Sequence, residues 1–524
     1  SEQEKEPEEQ LNAAASIQVE ERVHSRWMNI RTAAGSGVPL GGLFAVAAAS
    51  QVYTVVYKVP VNKLLTATLV MSIWNIFNNS ILGTLQDNET LNRCFDKNKW
   101  GRRAPWLVTH IPAGVIFIFL VWYPVSVEPD FLLIWFIICV FFINWIFSAL
   151  FIATASGIAE LYPFKEERLR VDLWILFWAI AYSAFTVIAF GVALLEADGE
   201  NDGSNITICD GTREEQDDFN LAVSERAKKA TLGPVALLSL AFTLAFLSIK
   251  PMSEAKLKTE EAPGNLFVEV RDLFRKKAFR VFIWFTIIDG TESLIDLGFL
   301  IYYLSYVSAL TGFERTVYLG AAPAIGYLIA VATGFLWVNL FSTKKLNPTR
   351  YTQAGLFCHA LIRPLFIFTT DSALVFIVSF IFRTVFISPR PYWYTAVRGW
   401  VIDDDCQQNA GKRREGIIVG FGTTIRSVGL IVIQFLTIGM SSAGIDNTLP
   451  DGCPQDEYGI LYLKLMYGVL GPVICLIEIG IIELFPIKGE MLEKLLEAQR
   501  AGMLIKSVVE AEIEVAAGAG QISL

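Results

Sequence analysis

Histidine and charge are scarce in this chain, and its cysteines form no pattern. Three histidines and seven cysteines are scattered through 524 residues with no CxxC pair, which argues against a zinc or redox centre. No glycine-rich loop has the spacing that cradles a nucleotide phosphate, so drive by ATP is not expected. No nucleophile or metal set stands out either, so the chain does not read as an enzyme and no cofactor is expected. Charged residues make up only 18% of the chain, against about 25% in soluble domains. The apolar residues, 53% of the total, do not alternate along the chain as the strands of a membrane β-barrel would require.

What the chain has instead is a series of apolar runs of about 20 residues or more, each long enough to cross a hydrocarbon core of about 30 Å. Twelve spans result, at 36–59, 64–85, 105–125, 131–160, 171–196, 231–250, 279–310, 316–341, 351–370, 372–402, 416–440 and 459–485. One set of loops carries Lys97, Lys99, Arg102 and Arg103, then Lys165, Arg168 and Arg170, then Lys344, Lys345 and Arg350, then Lys412, Arg413 and Arg414. The opposite set carries acids: Glu128, Asp130, Asp371, Asp446, Asp451, Asp456 and Glu457. Basic loops stay on the cytoplasmic side, which places both termini there. The net charge of −9 sits mainly in the N-terminal tail and one large loop, and nothing in it points to nucleic acid. The tail opens Ser1-Glu2-Gln3-Glu4-Lys5-Glu6, and no signal peptide is read before it.

The chain divides into an acidic tail (1–33), a first six-span bundle (34–250) with an outward loop at 197–230, a linker (251–278), a second six-span bundle (279–486) and a C-terminal tail (487–524). The outward loop holds the sequon Asn205-Ile206-Thr207, a glycosylation acceptor if that face is lumenal or extracellular. The linker ends in Arg271-Asp272-Leu273-Phe274-Arg275-Lys276-Lys277, which reads as a basic amphipathic helix on the membrane surface. Met491, Leu492, Leu495 and Leu496 recur at helical spacing and read as a second surface helix. The basic loop after span two has a counterpart after span eight, and the charged loop after span four has one after span ten. This repetition is a known transporter plan, with the substrate held at mid-membrane between the repeats.

Two strings carry a more specific likeness: Trp100-Gly101-Arg102-Arg103-Ala104-Pro105-Trp106 after span two, and Asp403-Asp404-Asp405 followed by Gly411-Lys412-Arg413-Arg414-Glu415-Gly416 after span ten. With Ala159-Glu160-Leu161 and Glu167-Arg168 between spans four and five, they resemble the glycoside–pentoside–hexuronide:cation symporter family of the major facilitator superfamily. The resemblance implies an all-α polytopic fold, twelve transmembrane helices in two pseudo-symmetric six-helix bundles. It also implies that Arg102, Arg103, Arg413 and Arg414 make cytoplasmic gate contacts with Glu160, Glu167, Asp403 and Asp404, within a set that includes Arg168 and Glu415. Ordinary positive-inside charge is the plainer alternative. Within the family, the likeness is strongest to the eukaryotic sodium-dependent lysophosphatidylcholine symporters, through Val401-Ile402-Asp403-Asp404, the long outward loop and the ending Phe485-Pro486-Ile487. In those relatives a disulfide ties the long loop to the loop before helix twelve, and Cys209 and Cys453 occupy these two loops here.

The likeness fails at the coupling site. The family carries two carboxylates in a W-D-x-x-N-D-P pattern on helix two; this chain has Trp74-Asn75-Ile76-Phe77-Asn78-Asn79-Ser80. Asn75 and Asn79 share one helix face, but an amide supplies no negative charge and carries no proton. The family's helix-eleven lysine is matched by Arg426, which stays charged. Sodium coupling is therefore not expected. Span one, with Gly41-Gly42-Leu43-Phe44-Ala45, lacks the aspartate by which sugar-transporting relatives hold a pyranoside. Charge is present elsewhere: Asp289, Glu292 and Asp296 form a stripe on span seven, opposite Arg390 and Arg426. One of these acids is expected to carry a coupling proton; ion pairs holding the two halves together are the alternative. Arg363, Arg383 and Arg398 read as span-end residues that snorkel. The aromatic string beside Arg390, including Trp393, reads either as lipid-facing or as a cavity wall for an amphiphile.

The expectation is an integral membrane protein of the plasma membrane or of an organelle with an oxidising outer face. It moves a small organic or amphiphilic solute, lysophospholipid-like, by alternating access, coupled to protons or uncoupled. A transport-inactive subunit of a larger membrane assembly is the alternative, and a sugar:cation symporter the second alternative.

Overall fold

The structure is a computed structural model. It describes residues 24–162, 165–198, 212–254, 266–307, 347–368, 373–408, 414–449, 455–495 and 497, with scattered positions between 318 and 340. No strand occurs among the described residues, in keeping with a medium in which each helix satisfies its own backbone hydrogen bonds.

Residues 26–485 form one compact unit. Its first helices are α1 (Arg26–Val55), α2 (Val61–Asp87), α3 (Ala104–Trp122), α4 (Pro129–Leu161), α5 (Lys165–Asp198) and α6 (Arg213–Ala241). After α6 the chain continues as a 3₁₀ segment, Phe242–Ser248, and a short helix, Ile249–Glu254. A linker helix, Leu266–Arg275, precedes α7 (Lys277–Tyr302). The expected span at 316–341 lies largely outside the described residues. Then come α8 (Pro348–Ile362), α9 (Ala373–Ile387), α10 (Pro389–Gln408), α11 (Glu415–Ser442), α12 (Glu457–Leu465) and α13 (Gly471–Leu484). Six helical stretches among the described residues are long and apolar enough to cross a membrane by length and composition. Residues 1–25 and 486–524 form a separate unit, in which residues 490–495 are helical.

Two boundaries differ from the sequence expectation. The segment 197–230 is partly helical, because α6 begins inside it at Arg213. Thr212 and Glu215 form a reciprocal cap there, Glu215 N donating to Thr212 Oγ1 and Thr212 N to Glu215 Oε2, which supports a polar helical start before the apolar run. The linker helix does not simply lie on a membrane. Leu273 is buried and Phe274 meets Phe279 and Phe421 edge-on, while Glu269 and Asp272 face Arg414; Val268, Arg271, Phe274 and Arg275 are exposed.

Span ten is broken into α9 and α10 at Ser388–Pro389, and span twelve into α12 and α13 by a π-helical segment, Met466–Leu470. Span nine ends in a 3₁₀ segment, Arg363–Ile367, with Pro364 near its start. Proline removes a backbone donor, and π segments disturb the regular ladder; both leave carbonyls free for other partners. Across the middle of the unit α2 packs along α11, α5 meets α10, and α11 also lies against α7.

Candidate functional site

Side chains from α8, the 3₁₀ segment after it and α10 converge on one buried carboxylate of α7. Glu292, on α7, is fully buried. Its Oε1 accepts from Arg363 Nη1 at 2.8 Å and meets His359 Nε2 at 3.2 Å, and its Oε2 accepts from Arg390 Nη1 at 2.5 Å. Arg390 also reaches Asp289 Oδ1 with Nε at 3.2 Å, Glu478 Oε2 with Nη1 at 3.4 Å, and Ser293 Oγ with Nη2 at 2.8 Å. Asp289 is shared: Arg426 Nη2, from α11, lies 3.4 Å from its Oδ2. Arg363 Nε donates to the Tyr467 carbonyl at 3.2 Å, in the π-helical segment, and Arg383 Nη1 donates to the Tyr467 hydroxyl at 2.8 Å.

The local sequence explains the placement. Arg363 stands before Pro364, and Arg390 between Pro389 and Pro391. Both guanidinium groups therefore leave the chain at helix breaks, where freed carbonyls and neighbouring acids can meet their donors. Asp289 and Glu292 share a face of α7 at i and i+3. Arg363 and Arg383 do not snorkel from span ends, contrary to the expectation from sequence; both are buried in this network. The network's members all come from α7–α13, so it does not tie the two halves of the chain together either.

Other expected site residues fall differently. Arg426 joins the network at its edge: its side chain is 44% exposed although it sits mid-way along α11, between α2 and α7. Trp393 is not a cavity wall. It is 1% exposed, packs edge-on against Phe285 and Phe485, and donates from Nε1 to Thr349 Oγ1 at 3.2 Å. Asn79 is buried, and the side-chain oxygens of Asn75, Asn78 and Asn79 have no hydrogen-bond partner among the described residues. The side chain of Asp296 lies outside the described residues.

Glu292, His359 and Cys475 bring three possible ligand atoms within 4.8 Å of one another. Both Glu292 oxygens are already held by guanidinium groups, and two arginines in the same shell oppose a divalent cation, so the set does not suit a metal.

At the basic end of the unit, Arg102 pairs with Glu160, and Arg103 donates to Glu160 Oε1 from Nη2 at 2.9 Å and from Nε at 3.1 Å. Gly101 makes this possible by turning the chain at a φ of 63°, a left-handed conformation that side chains disfavour. These contacts stay within the first half. Arg168 crosses to the second: its Nη1 lies 3.3 Å from Asp403 Oδ2, while its Nε donates to the Tyr162 carbonyl at 2.6 Å. The guanidinium lies directly over Gly399, where a Cβ would displace it. Glu167 and Asp404 are buried, and Asp404 accepts from Gln408 Nε2 at 2.8 Å. Arg414 contacts Asp405, Glu269 and Asp272 rather than the first half. Burial opposes its charge, yet hydrogen bonds to Asp405 and Glu269 hold its pKa above the ordinary arginine value. Arg413 lies outside the described residues, as does the side chain of Glu415.

The opposite end is closed by a residue that sequence reasoning missed. Asn447, buried in the loop after α11, donates from Nδ2 to the Thr54 and Val59 carbonyls at 3.1 and 3.0 Å and accepts from Val61 N at 3.1 Å. His359, Glu478, Asp405 and Lys276, the last 2.7 Å from Asp405, were missed as well. Glu478 had a usable signal, an acid inside the apolar run Gly471–Ile482. Cys209, Cys453 and Asn205 lie outside the described residues.

A search of curated protein sequences returns no significant match. Among solved structures, a nucleoside transporter, NupG, superposes with a TM-score of 0.50 at 12% identity, covering 89% of this chain and all of that one. A point mutant of NupG gives 0.53 at 12%, covering 88% and 100%. The proton:xylose symporter XylE gives 0.49 at 15%, covering 90% and 99%. At such identities NupG shows the fold alone. A family profile described as MFS/sugar transport protein matches residues 39–489, and the chain belongs to that family of membrane transporters.

Proposed function

We propose that this protein is a secondary transporter for a small amphiphilic solute bearing an anionic or zwitterionic head, a lysophospholipid being the best representative. The observation that carries this reading is Arg426. A charged side chain in a membrane span almost always faces a bundle interior or a water-filled cavity, and Arg426 is half-exposed, mid-helix, on the helix that packs against both halves of the chain. With one acid at 3.4 Å, it keeps donors free in number and geometry for a phosphate or carboxylate. The helix-two position that binds a cation in relatives holds amides, so sodium has no charged ligand there. The acids of α7, with Asp289 directly on Arg426, are the route by which proton uptake meets solute binding.

In this reading the basic end is cytoplasmic, and Arg168–Asp403 and Asn447 are the contacts made and broken at the two ends. A disulfide between Cys209 and Cys453 and a glycan on Asn205 belong to the outer face.

The test is thermal unfolding of the purified protein with lysophosphatidylcholine. A ligand of the folded state raises the melting temperature. The wild type is expected to shift, and Arg426→Ala to lose most of that shift while melting close to the wild type without ligand. No shift in the wild type with lysophosphatidylcholine, sugars or organic anions, together with recovery of the protein in a larger assembly, would instead fit a transport-inactive subunit.

A further inference from the structure

The network around Glu292 is unevenly satisfied. Glu292 receives Arg363, Arg390 and His359, and Asp289 receives Arg390 and Arg426. Glu478, on α13, is fully buried as well, but its one polar contact among the described residues is Arg390 Nη1 at 3.4 Å. That same nitrogen lies 2.5 Å from Glu292, so it is already committed. The other Glu478 oxygen has no hydrogen-bond partner among the described residues. A buried carboxylate in such surroundings is far costlier than the neutral acid.

The neighbours sharpen the contrast. α13 packs against α7 and α8, the 3₁₀ segment after α8, and the π segment before α13 itself. From α7 it faces Asp289 and Glu292. The charged or titratable groups on the other packed elements are Arg350, which pairs with Glu483, Tyr351, Cys358, His359, Arg363 and Tyr467, with Cys475 one turn away on α13 and Arg390 approaching from α10. His359 and Arg363 turn to Glu292, and Tyr467 to Arg363 and Arg383. None gives Glu478 a second donor.

We propose that Glu478 is the proton-binding residue of the transport cycle and that it acts by competing with Glu292 for Arg390. This deepens the transporter reading and rests on it. With a proton on Glu478, Arg390 stays on Glu292 and Asp289, as in this structure. When the proton leaves, the new carboxylate draws Arg390 Nη1 across the 3.4 Å gap and away from Glu292. Arg390 lies in the first turn of α10, which the break at Ser388–Pro389 frees from α9. Near the far end of the same helix is Asp403, paired with Arg168 of the other half. The distance along the helix, about 20 Å at 1.5 Å per residue, makes α10 a lever from the proton site to the closure at the basic end.

Two measurements on the full-length protein in liposomes of phosphatidylcholine test this without confusing it with the solute reading. Infrared difference spectra between pH 6 and pH 8, taken without solute, should contain the C=O stretch of a protonated carboxyl that titrates in the wild type and vanishes in Glu478→Gln. Uptake of labelled lysophosphatidylcholine by Glu478→Gln should lose acceleration by a pH gradient, at least tenfold. A wild type with no titrating carboxyl band, or a band that survives in Glu478→Gln, overturns the assignment whatever the solute. Uptake that a pH gradient still drives in Glu478→Gln overturns it too. A titrating Glu478 band with no uptake in any protein would leave the proton site standing and remove the lysophospholipid reading.

Discussion

Glu292 and Arg350 show at the residue scale how depth decides what an ion pair does. Arg350 meets Glu483 at 3.1 Å with both side chains largely exposed, and such pairs contribute about 0–1 kcal/mol. Glu292 sits with no exposure among three cationic or hydrogen-bonding partners, and removing one member of a buried set leaves uncompensated charge, at a cost of about 3–5 kcal/mol. Glu292→Ala is therefore expected to unfold in detergent at a clearly lower denaturant concentration than wild type, and Arg350→Ala within error of it. Equal midpoints for the two variants would mean that the Glu292 network is not the dry, paired set described above. Arg426 belongs to neither class. It is charged and half-exposed within a membrane helix, an arrangement that a purely structural salt bridge would not need.

The elements that carry the site are the irregular ones. Span nine ends in a 3₁₀ turn at Arg363, span ten breaks at Pro389, and span twelve contains a π segment at Tyr467. Each irregularity places a guanidinium or a free carbonyl where a regular helix would have neither. The loop after α11 has a comparable role at the acidic end, because a single amide there satisfies three backbone groups of the α1–α2 connection. Each such hydrogen bond is worth about 1 kcal/mol. Asn447→Ala should therefore loosen the closure and raise labelling of a cysteine at Tyr302, which lies 3.4 Å from Thr54 through their hydroxyls, by on the order of tenfold. An unchanged labelling rate with an impermeant thiol reagent would remove Asn447 from the gate. The linker helix shows why its sequence suggests a surface role and no more. Its exposed face carries Val268 and Phe274 beside Arg271 and Arg275, whereas the acids Glu269 and Asp272 are taken by Arg414, a partner about 140 residues further along the chain.

For the whole molecule, the sequence was most informative about features that need no partner: the apolar runs, the family motifs and the acids on span seven. It was least informative about pairing. The motifs named Glu160 among four acids for Arg102 and Arg103, but not that both would share it inside one half, leaving Arg168 and Asp403 to join the halves. Nothing marked His359 and Arg363, one turn apart on span nine, as partners of Glu292. Helix breaks were half-legible, since Pro364, Pro389 and Pro391 are visible but the π segment at Met466–Leu470 is not. The cross-half pair can be tested by reversal. Asp403→Arg sets two cations face to face and should cut uptake at least tenfold, and adding Arg168→Asp should restore part of it, a coupling of about 0.5–3 kcal/mol. No recovery in the double variant would mean that Asp403 acts elsewhere. The measurement that tests the account most directly is uptake of labelled lysophosphatidylcholine into liposomes containing the purified protein, under an imposed pH gradient and, separately, an imposed sodium gradient. The account expects the pH gradient to drive accumulation, the sodium gradient to leave it unchanged, and Glu478→Gln to abolish the difference between them. Accumulation driven by sodium, or transport indifferent to pH in wild type and variant, would contradict it.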